Sequence, residues 1–164
     1  MSDSRIGQGF DVHRFAAGRR LVLCGLELPG WPGLEGHSDA DVALHAVADA
    51  LLGAVAAGDI GERFPSSDDR WRDAESRLLI EGALELVAKR GYRLINCDLT
   101  VVCQRPRIAP HRGALRKRLA EILGVELGAV SVKATTSDGL GFAGRGEGMA
   151  AMAVVLLQTE DVDG

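Results

Sequence analysis

The sequence predicts an α+β fold in which a mixed β-sheet carries helices on one face, so that the two layers form a sandwich. Segments in which apolar residues alternate, the period of a strand, lie at both ends and in the middle of the 164-residue chain. Segments of helical period lie between them, and helices that cover one sheet face define a two-layer architecture. The hydrophobic fraction of 46% is that of an ordinary globular protein, and residues 1–164 are predicted to form a single domain.

The first strand is predicted over residues 5–13, where apolar residues alternate with glycines and polar residues. Because glycine weakens a strand, Gly7 and Gly9 indicate that something approaches this backbone closely. A second strand is predicted over residues 20–28, and it ends at the turn-forming pair Pro29-Gly30.

The first helix is predicted to begin with Ser38 as its N-cap and to run to about residue 56 or 57. Asp41, three residues after Ser38, completes a capping box, which gives it a structural role. His45 and Asp49 follow at intervals of four residues and therefore share a face with Asp41. Asp49 is a candidate acceptor for the second ring nitrogen of His45, and a solvent-exposed Asp49 is the alternative.

The middle of the chain is predicted to contain a loop, two helices and a strand. Residues 64–69 form a polar loop in which nothing is expected to pack, so the loop is a candidate mobile lid. A helix follows over residues 73–90, then a strictly alternating strand over residues 94–104, then a helix over residues 111–123 that Gly124 closes. Side chains expected to face inward from the first of these helices are Leu78, Leu79, Leu86 and Val87. The strand is expected to present Ile95, Cys97, Leu99 and Val101 on one face.

The C-terminal part is predicted to contain a strand over residues 130–136, a glycine-rich stretch over residues 139–148 and a last strand over residues 149–158. The glycines lack the spacing of a phosphate-binding loop and are interpreted as allowing tight packing around Arg145 and Glu147. The last strand is apolar on both faces, although a two-layer fold leaves one sheet face open. Something must cover that face, and self-association is the simplest cover.

A metal site is the strongest functional prediction from the residues themselves. Asp11 and His13 are two apart in a strand, so both side chains leave on the same face. His45 would join them from the body of a helix. One carboxylate and two imidazoles suit zinc with an open fourth position, as in a catalytic site. The alternative is that both histidines are only hydrogen-bonded.

Composition excludes several other classes. The net charge of −4, without a long run of Lys or Arg, argues against a nucleic-acid partner. Cys24, Cys97 and Cys103 are odd in number and lack metal-site spacing, which favours reduced thiols in the cytoplasm. No signal peptide is visible, and the longest apolar stretch, residues 149–157, is too short to span a bilayer. A cytoplasmic protein without a membrane partner is therefore expected.

Several long motifs resemble the 2-C-methyl-D-erythritol 2,4-cyclodiphosphate synthase family, and together they cover nearly the whole chain. They are residues 5–13, 36–46, 58–61, 133–136 and 139–148. The resemblance implies a lyase of the non-mevalonate isoprenoid pathway, which converts 4-diphosphocytidyl-2-C-methyl-D-erythritol 2-phosphate into the cyclic diphosphate and releases CMP. It also implies a homotrimer with active sites between subunits.

The resemblance further implies cofactors and site residues. Asp11, His13 and His45 would hold one Zn²⁺ per subunit, and a second divalent cation, Mg²⁺ or Mn²⁺, would accompany the substrate diphosphate. His37 and Thr136 would stabilise the transition state. The implied substrate-binding residues are Asp11, His13, His37, Ser38, Asp59, Ile60, Gly61, Phe64, Pro65, Ser66, Ser67, Asp68, Cys103, Gln104, Arg105, Pro106, Arg107, Ile108, Ala109, Thr135, Thr136, Ser137, Asp138, Phe142 and Arg145.

Two positions depart from the family pattern. Asp138 stands where the family usually has a Glu beside the second cation, so its carboxylate is one methylene shorter. Arg107 replaces the commoner Lys in the loop near the base, where the contacts are mainly from the backbone.

Two other functions are compatible with the same residues. A zinc-dependent phosphoesterase acting on a nucleotide diphosphate would use a zinc-bound hydroxide and give a linear product. A non-catalytic trimeric binding protein would use the histidines structurally and would release no CMP.

Overall fold

The computed structural model describes residues 3–65, 67–71 and 74–160. Its strands are β1 (Ser4–Ala16), β2 (Val22–Leu23), β3 (Leu26–Glu27), β4 (Gly33–Leu34), β5 (Tyr92–Val102), β6 (Val130–Thr135) and β7 (Gly148–Thr159). Its helices are α1 (Val42–Ala54), α2 (Ile60–Arg63), α3 (Arg77–Lys89), α4 (Arg112–Leu123) and α5 (Gly141–Gly144). No helix in the described ranges is long and apolar enough to cross a membrane.

Five strands form a mixed sheet in the order β4-β1-β7-β5-β6. The central strand β7 pairs antiparallel with both β1 and β5, whereas β5 and β6 are parallel because α4 forms the crossover between them. β2 and β3 pair separately as a short hairpin. The α+β class and the mixed sheet that were predicted from the sequence are confirmed.

The helices cover one face of this sheet, and the main core lies between the two layers. Core-facing side chains of the central strands, such as Leu99 and Val155, are fully buried. α1 packs on β1 at very short range. A Cβ atom added to Gly7 would lie 1.9 Å from the carbonyl oxygen of Ala50, and one added to Gly9 would lie 1.9 Å from that of Ala46. The close approach that these glycines predicted is therefore the approach of α1.

The opposite face of the sheet is apolar and open to solvent in a single chain. Ile6 is 73% exposed, Phe10 54% and Val154 43%. The pairing of Phe10 with Met152 and of Ile6 with Leu156 places these side chains together on one surface. We call the surface formed by Ile6, Phe10, Val12, Met152 and Val154 the open sheet face.

The predicted strand over residues 20–28 is wrong, because this segment turns back on itself as the β2–β3 hairpin. Cys24 and Gly25 join the two short strands with φ values of 49° and 72°, the combination that a tight hairpin turn requires. A non-glycine residue with positive φ gives little signal in a sequence, so the turn was not predicted.

The first helix begins later than predicted, since Asp41 and not Ser38 is its N-cap. The side chain of Asp41 accepts a hydrogen bond from the backbone N–H of Leu44. Ala40 has a φ of 55°, outside the helical region, so a helix cannot begin before it. Asp41 also accepts from the N–H groups of Cys24 and Gly25, which ties the hairpin to the helix. Its structural role is confirmed with a different capping geometry.

The longer elements β1, α3, β5, α4, β6 and β7 agree with the predictions apart from their ends and two side chains, whereas β4, α2 and α5 were not predicted. α3 begins at Arg77, and the predicted start at Asp73 lies outside the described residues. Leu78 is 38% exposed rather than inward. In β5, a bulge between Leu94 and Asn96 gives Leu94 the core position that alternation assigned to Ile95.

Candidate metal centre and adjoining cavities

Three predicted ligands meet between β1 and α1. Asp11 and His13 leave β1 on the face that α1 covers, and His45 lies in the first turns of α1. Asp11 Oδ2 lies 2.8 Å from His13 Nε2 and 3.0 Å from His45 Nδ1, and the two ring nitrogens are 3.1 Å apart. One oxygen and two nitrogens thus converge on a single point, as a tetrahedral metal ion with one open position requires.

The orientation of His13 makes this convergence chemically specific. Its Nδ1 lies 2.6 Å from the carbonyl oxygen of Glu35. A carbonyl can only accept, so Nδ1 carries the proton and the lone pair of Nε2 is directed at the centre. The carboxylate of Asp11 supplies the negative charge that a divalent cation prefers. The residues present therefore fit a divalent metal ion.

The charges and hydrogen bonds around Asp11 favour the ionised form of its carboxyl group. Burial opposes its charged form, but the imidazoles of His13 and His45 that contact its carboxylate outweigh burial and hold the pKa of Asp11 well below its usual range. Burial also opposes charge on His13, yet the hydrogen bond and charge of Asp11 raise the pKa of His13. The carboxylate thus attracts a positive charge to the centre, either a proton on His13 or a metal ion.

Neither predicted environment of Asp49 is correct. Its Oδ1 accepts a hydrogen bond of 2.8 Å from the backbone N–H of Ile60, and the side chain is partly buried. The outer nitrogen of His45, Nε2, instead lies 3.0 Å from the hydroxyl of Ser76. The spacing along α1 places Asp49 one turn from His45, but the partner of the ring is Ser76 at the N-terminus of α3. This contact was not predicted because a contact between distant segments leaves no periodic signal in the sequence.

A cavity of about 330 Å³ adjoins the centre. Predicted residues that line it are His13, His37, Ser38, His45, Ile60, Gly61, Phe64, Pro65 and Ser67. Residues that the sequence did not predict also contribute, namely Gly36, Trp71, Ala74 and Leu79. Of these four residues, only Trp71 could have been predicted from the sequence, because it is a large aromatic side chain in a polar stretch. The cavity therefore places His37 and Ser38 beside the metal ligands.

The expectation that nothing packs in the 64–69 loop is wrong. The rings of Phe64 and Trp71 meet edge to face with centroids 4.9 Å apart, and a Cβ atom added to Gly82 of α3 would lie 2.9 Å from Phe64. Asp59 caps α2 by accepting from the N–H of Glu62 and holds Ile60 and Gly61 beside the cavity. Ser66 lies outside the described residues.

Other predicted substrate-binding residues line a second, separate cavity of about 250 Å³. It is lined by Cys103, Gln104, Pro106, Arg107, Ile108, Ala109, Arg112, Ala134, Thr135 and Thr136. Arg112, at the start of α4, was not predicted. The backbone N–H of Cys103 donates to the carbonyl of Thr135, so this loop and the end of β6 are held together.

Among the described residues, the two groups of predicted residues line different cavities. No described residue lines both the cavity beside the metal centre and the cavity around Thr136. Asp138 is exposed with a φ of 56°, and its N–H donates to the Thr136 hydroxyl. Phe142 and Arg145 belong to neither lining; Arg145 pairs with Glu147 at 2.7 Å on the surface.

Fold and site together define an α+β protein in which Asp11, His13 and His45 are placed to hold a divalent metal ion beside a cavity. The sequence model of the YgbB family matches residues 4–158, and the chain belongs to this family.

Named relatives are close over most of the chain. A bifunctional enzyme IspD/IspF from Hyphomonas neptunium is 57% identical over 93% of this chain, and the chain spans 40% of that relative's length. A 2-C-methyl-D-erythritol 2,4-cyclodiphosphate synthase from Halalkalibacterium halodurans is 55% identical, with 93% of this chain and 98% of the relative covered. A solved structure of such a synthase in a CDP-bound form is 42% identical, with a TM-score of 0.86 and 93% and 99% of the two chains covered.

Proposed function

We propose that this chain is a 2-C-methyl-D-erythritol 2,4-cyclodiphosphate synthase. The observation that carries the proposal is the convergence of Asp11, His13 and His45 beside the cavity that His37 and Ser38 line. The relatives that bear this name match the chain over nearly their whole length, which supports the same substrate, 4-diphosphocytidyl-2-C-methyl-D-erythritol 2-phosphate. The reaction serves isoprenoid biosynthesis by the non-mevalonate route.

The reaction is an intramolecular phosphoryl transfer. An oxygen of the 2-phosphate bonds to the β-phosphorus, the bond from that phosphorus to the oxygen bridging it to the α-phosphorus breaks, and CMP leaves with the bridging oxygen. Both reacting groups are anionic, so repulsion must be neutralised before they approach. Such a transfer depends on positioning and electrostatic stabilisation, and no covalent enzyme intermediate is required.

Each proposed residue has a role that its position supports. Asp11, His13 and His45 would hold one Zn²⁺ per subunit, which supplies Lewis-acid neutralisation of a phosphate oxygen when it is bound. His37, exposed at the cavity wall, would donate a hydrogen bond to the reacting phosphates. Thr136 would donate its hydroxyl to the diphosphate from the other side.

The nucleotide end is proposed to bind in the second cavity. Residues 103–109 would meet the cytidine largely through backbone groups, and Thr135, Thr136 and Ser137 would meet the diphosphate. The CDP-bound relative supports a nucleotide ligand. Asp138 would stand beside a second divalent cation, Mg²⁺ or Mn²⁺, and its exposed carboxylate leaves room for a bridging water.

We also propose that the protein is a homotrimer whose active sites lie between subunits. Two observations support this. The open sheet face carries large apolar side chains such as Ile6 and Phe10 that burial would stabilise. The two cavities are separate in one chain, although a single substrate must reach both the metal centre and Thr136. Phe142 and Arg145 would complete the site from its edge.

We further propose a single domain and a cytoplasmic location. Residues 1–164 are proposed to form one domain, since a single family match extends over residues 4–158. The cytoplasm is the proposed location, which the three free, buried cysteines support, because reduced thiols persist there.

Phosphorus NMR tests the proposed function directly. The protein is incubated with the cytidine diphosphate substrate, Zn²⁺ and Mg²⁺, and we expect a cyclic diphosphate and CMP in equal amounts. A linear product that carries two phosphomonoesters, formed when water attacks the β-phosphorus and CMP leaves, would identify a phosphoesterase instead, and binding without CMP release would identify a non-catalytic binding protein. His45→Ala is the inactive control, and His111→Ala, outside both cavities, is the matched variant expected to stay active.

A further inference from the structure

Behind the candidate metal centre, His45 is connected to two polar side chains, Ser76 and Asp39, that were not among the predicted site residues. Ser76 is completely buried at the N-terminus of α3, and its Oγ lies 3.0 Å from His45 Nε2. The same Oγ donates a hydrogen bond to the carboxylate of Asp39. A chain of contacts thus runs from Asp39 through Ser76 to His45 and ends at Asp11.

The direction of each hydrogen bond between Asp39, Ser76 and His45 follows from counting the available protons. The carboxylate of Asp39 has no proton to give, so the single hydroxyl proton of Ser76 is donated to it. The hydroxyl oxygen can then only accept from His45. The proton of the neutral His45 ring must therefore sit on Nε2, and the lone pair of Nδ1 is directed at Asp11 and His13.

We infer that Asp39 and Ser76 are positioning residues that hold His45 in the tautomer needed for metal binding. This inference rests on the metal centre of the proposed function. Without Ser76, Nε2 retains only a longer contact of 3.3 Å to the Ser38 hydroxyl. Asp11 would then compete for the ring proton, because its Oδ2 lies 3.0 Å from Nδ1, and a proton on Nδ1 blocks coordination.

Backbone hydrogen bonds fix the carboxylate of Asp39 at the end of this series of contacts. Its carboxylate also accepts from the backbone N–H groups of Ser76 and Asp41, each within 3.1 Å. Asp39 therefore joins the loop that carries His37 and Ser38 to the beginning of α3. His13 is oriented by a backbone carbonyl, which no substitution removes, whereas His45 is oriented by side chains and can be tested.

Nitrogen NMR of the imidazole rings reports the tautomer without substrate. In the metal-free wild-type protein at pH 8.5, we expect the His45 proton on Nε2. In Ser76→Ala and Asp39→Asn, we expect the population with the proton on Nδ1 to rise. Competition with a chelator should show a Zn²⁺ affinity lower by about 10–100-fold in both variants, the usual effect of removing such a partner.

Matched controls separate this effect from a general disturbance. Asp49→Asn changes a carboxylate on the same helix as His45 that bonds to Ile60, and Ser131→Ala removes a hydroxyl on β6. Both should leave the His45 tautomer as in the wild type.

Two results would overturn the inference: an unchanged His45 tautomer in folded Ser76→Ala, or a Zn²⁺ affinity of that variant equal to that of Ser131→Ala. Amide NMR spectra establish folding. If instead the wild-type protein binds Zn²⁺ with the expected tautomer but forms no cyclic product, the proposed function fails while the positioning role stands.

Discussion

Among individual residues, His45 is the candidate metal ligand that joins the helix α1 to the strand β1. It stands on α1, contacts Asp11 and His13 of β1, and is 8% exposed. Removing it leaves two ligands on one strand, and two ligands hold zinc poorly.

We therefore expect His45→Ala to lose bound zinc and all turnover. Elemental analysis of protein purified without added metal should show one zinc per wild-type subunit and almost none in the variant. His111→Ala, a histidine on the turn before α4, should retain full occupancy. Full zinc occupancy in His45→Ala would remove this residue from the ligand set.

The ion pair of Asp11 and His13 makes the stability of the metal-free protein depend on pH. The lowered pKa of Asp11 stabilises the fold above its ordinary value of 3.8, and this contribution disappears as the pH falls through the folded value. The raised pKa of His13 stabilises the fold below its ordinary value of 6.5, and this contribution disappears as the pH rises through the folded value. The pair is most stabilising between these two values.

With a chelator present, His13→Gln should therefore lose the most stability relative to the wild type near pH 5.5 and progressively less toward pH 8.5. Urea unfolding at several pH values measures this difference. A difference that stays constant across the range would mean that His13 does not titrate against Asp11.

Among the secondary-structure elements, the packing of α1 on β1 decides the geometry of the metal centre. The two elements carry all three ligands, and Gly7 and Gly9 allow their close approach. Any side chain at these glycines would push the helix, and His45 with it, away from the strand.

Gly9→Ala should destabilise the fold by about 1–3 kcal/mol, the range for overpacking in a well-packed core, and should also weaken zinc binding. Gly113→Ala in α4 is the matched control, since a Cβ there meets no atom within 4 Å. Because alanine favours helix over glycine, the control should gain up to about 1 kcal/mol. Urea unfolding compares the two, and equal stabilities would contradict the tight contact.

For the assembled molecule, the open sheet face determines whether chains associate. Large apolar side chains on adjacent strands β1 and β7 remain exposed in one chain, although the opposite face forms the core. Activity should depend on covering this face, because the two cavities lie apart in a single chain.

Val154→Glu should dissociate the proposed trimer, since burying an unpaired carboxylate in an interface costs several kcal/mol per subunit. Light scattering after size exclusion measures the mass, and turnover should fall with it while zinc remains bound. Leu127→Glu, at a side chain 46% exposed on the turn before β6, should leave the mass unchanged. A monomeric wild type would contradict the proposal.

Mixing two inactive variants tests whether the sites are shared. His13→Ala lacks a metal ligand and Thr136→Ala lacks the hydroxyl of the second cavity. Mixed trimers contain interfaces where an intact His13 faces an intact Thr136, so partial activity should return. Confirmed subunit exchange without any recovered activity would mean that each chain forms its own complete site.

The sequence alone determined what depends on local periodicity and on residue chemistry. Alternation and helical spacing predicted the α+β class, and an i, i+2 pair with one helical histidine predicted Asp11, His13 and His45. The spacing of the motifs also indicated the family.

Only the tertiary structure decided features that arise where distant segments meet. The partner of His45 is Ser76, 31 residues away along the chain, and not Asp49 one turn away. The β2–β3 hairpin depends on a positive φ at Cys24, and the β5 bulge exchanges Leu94 for Ile95. Trp71 packs on Phe64 across a loop that looked unpacked. Periodicity describes one element at a time, whereas these contacts are set by how the elements lie against each other.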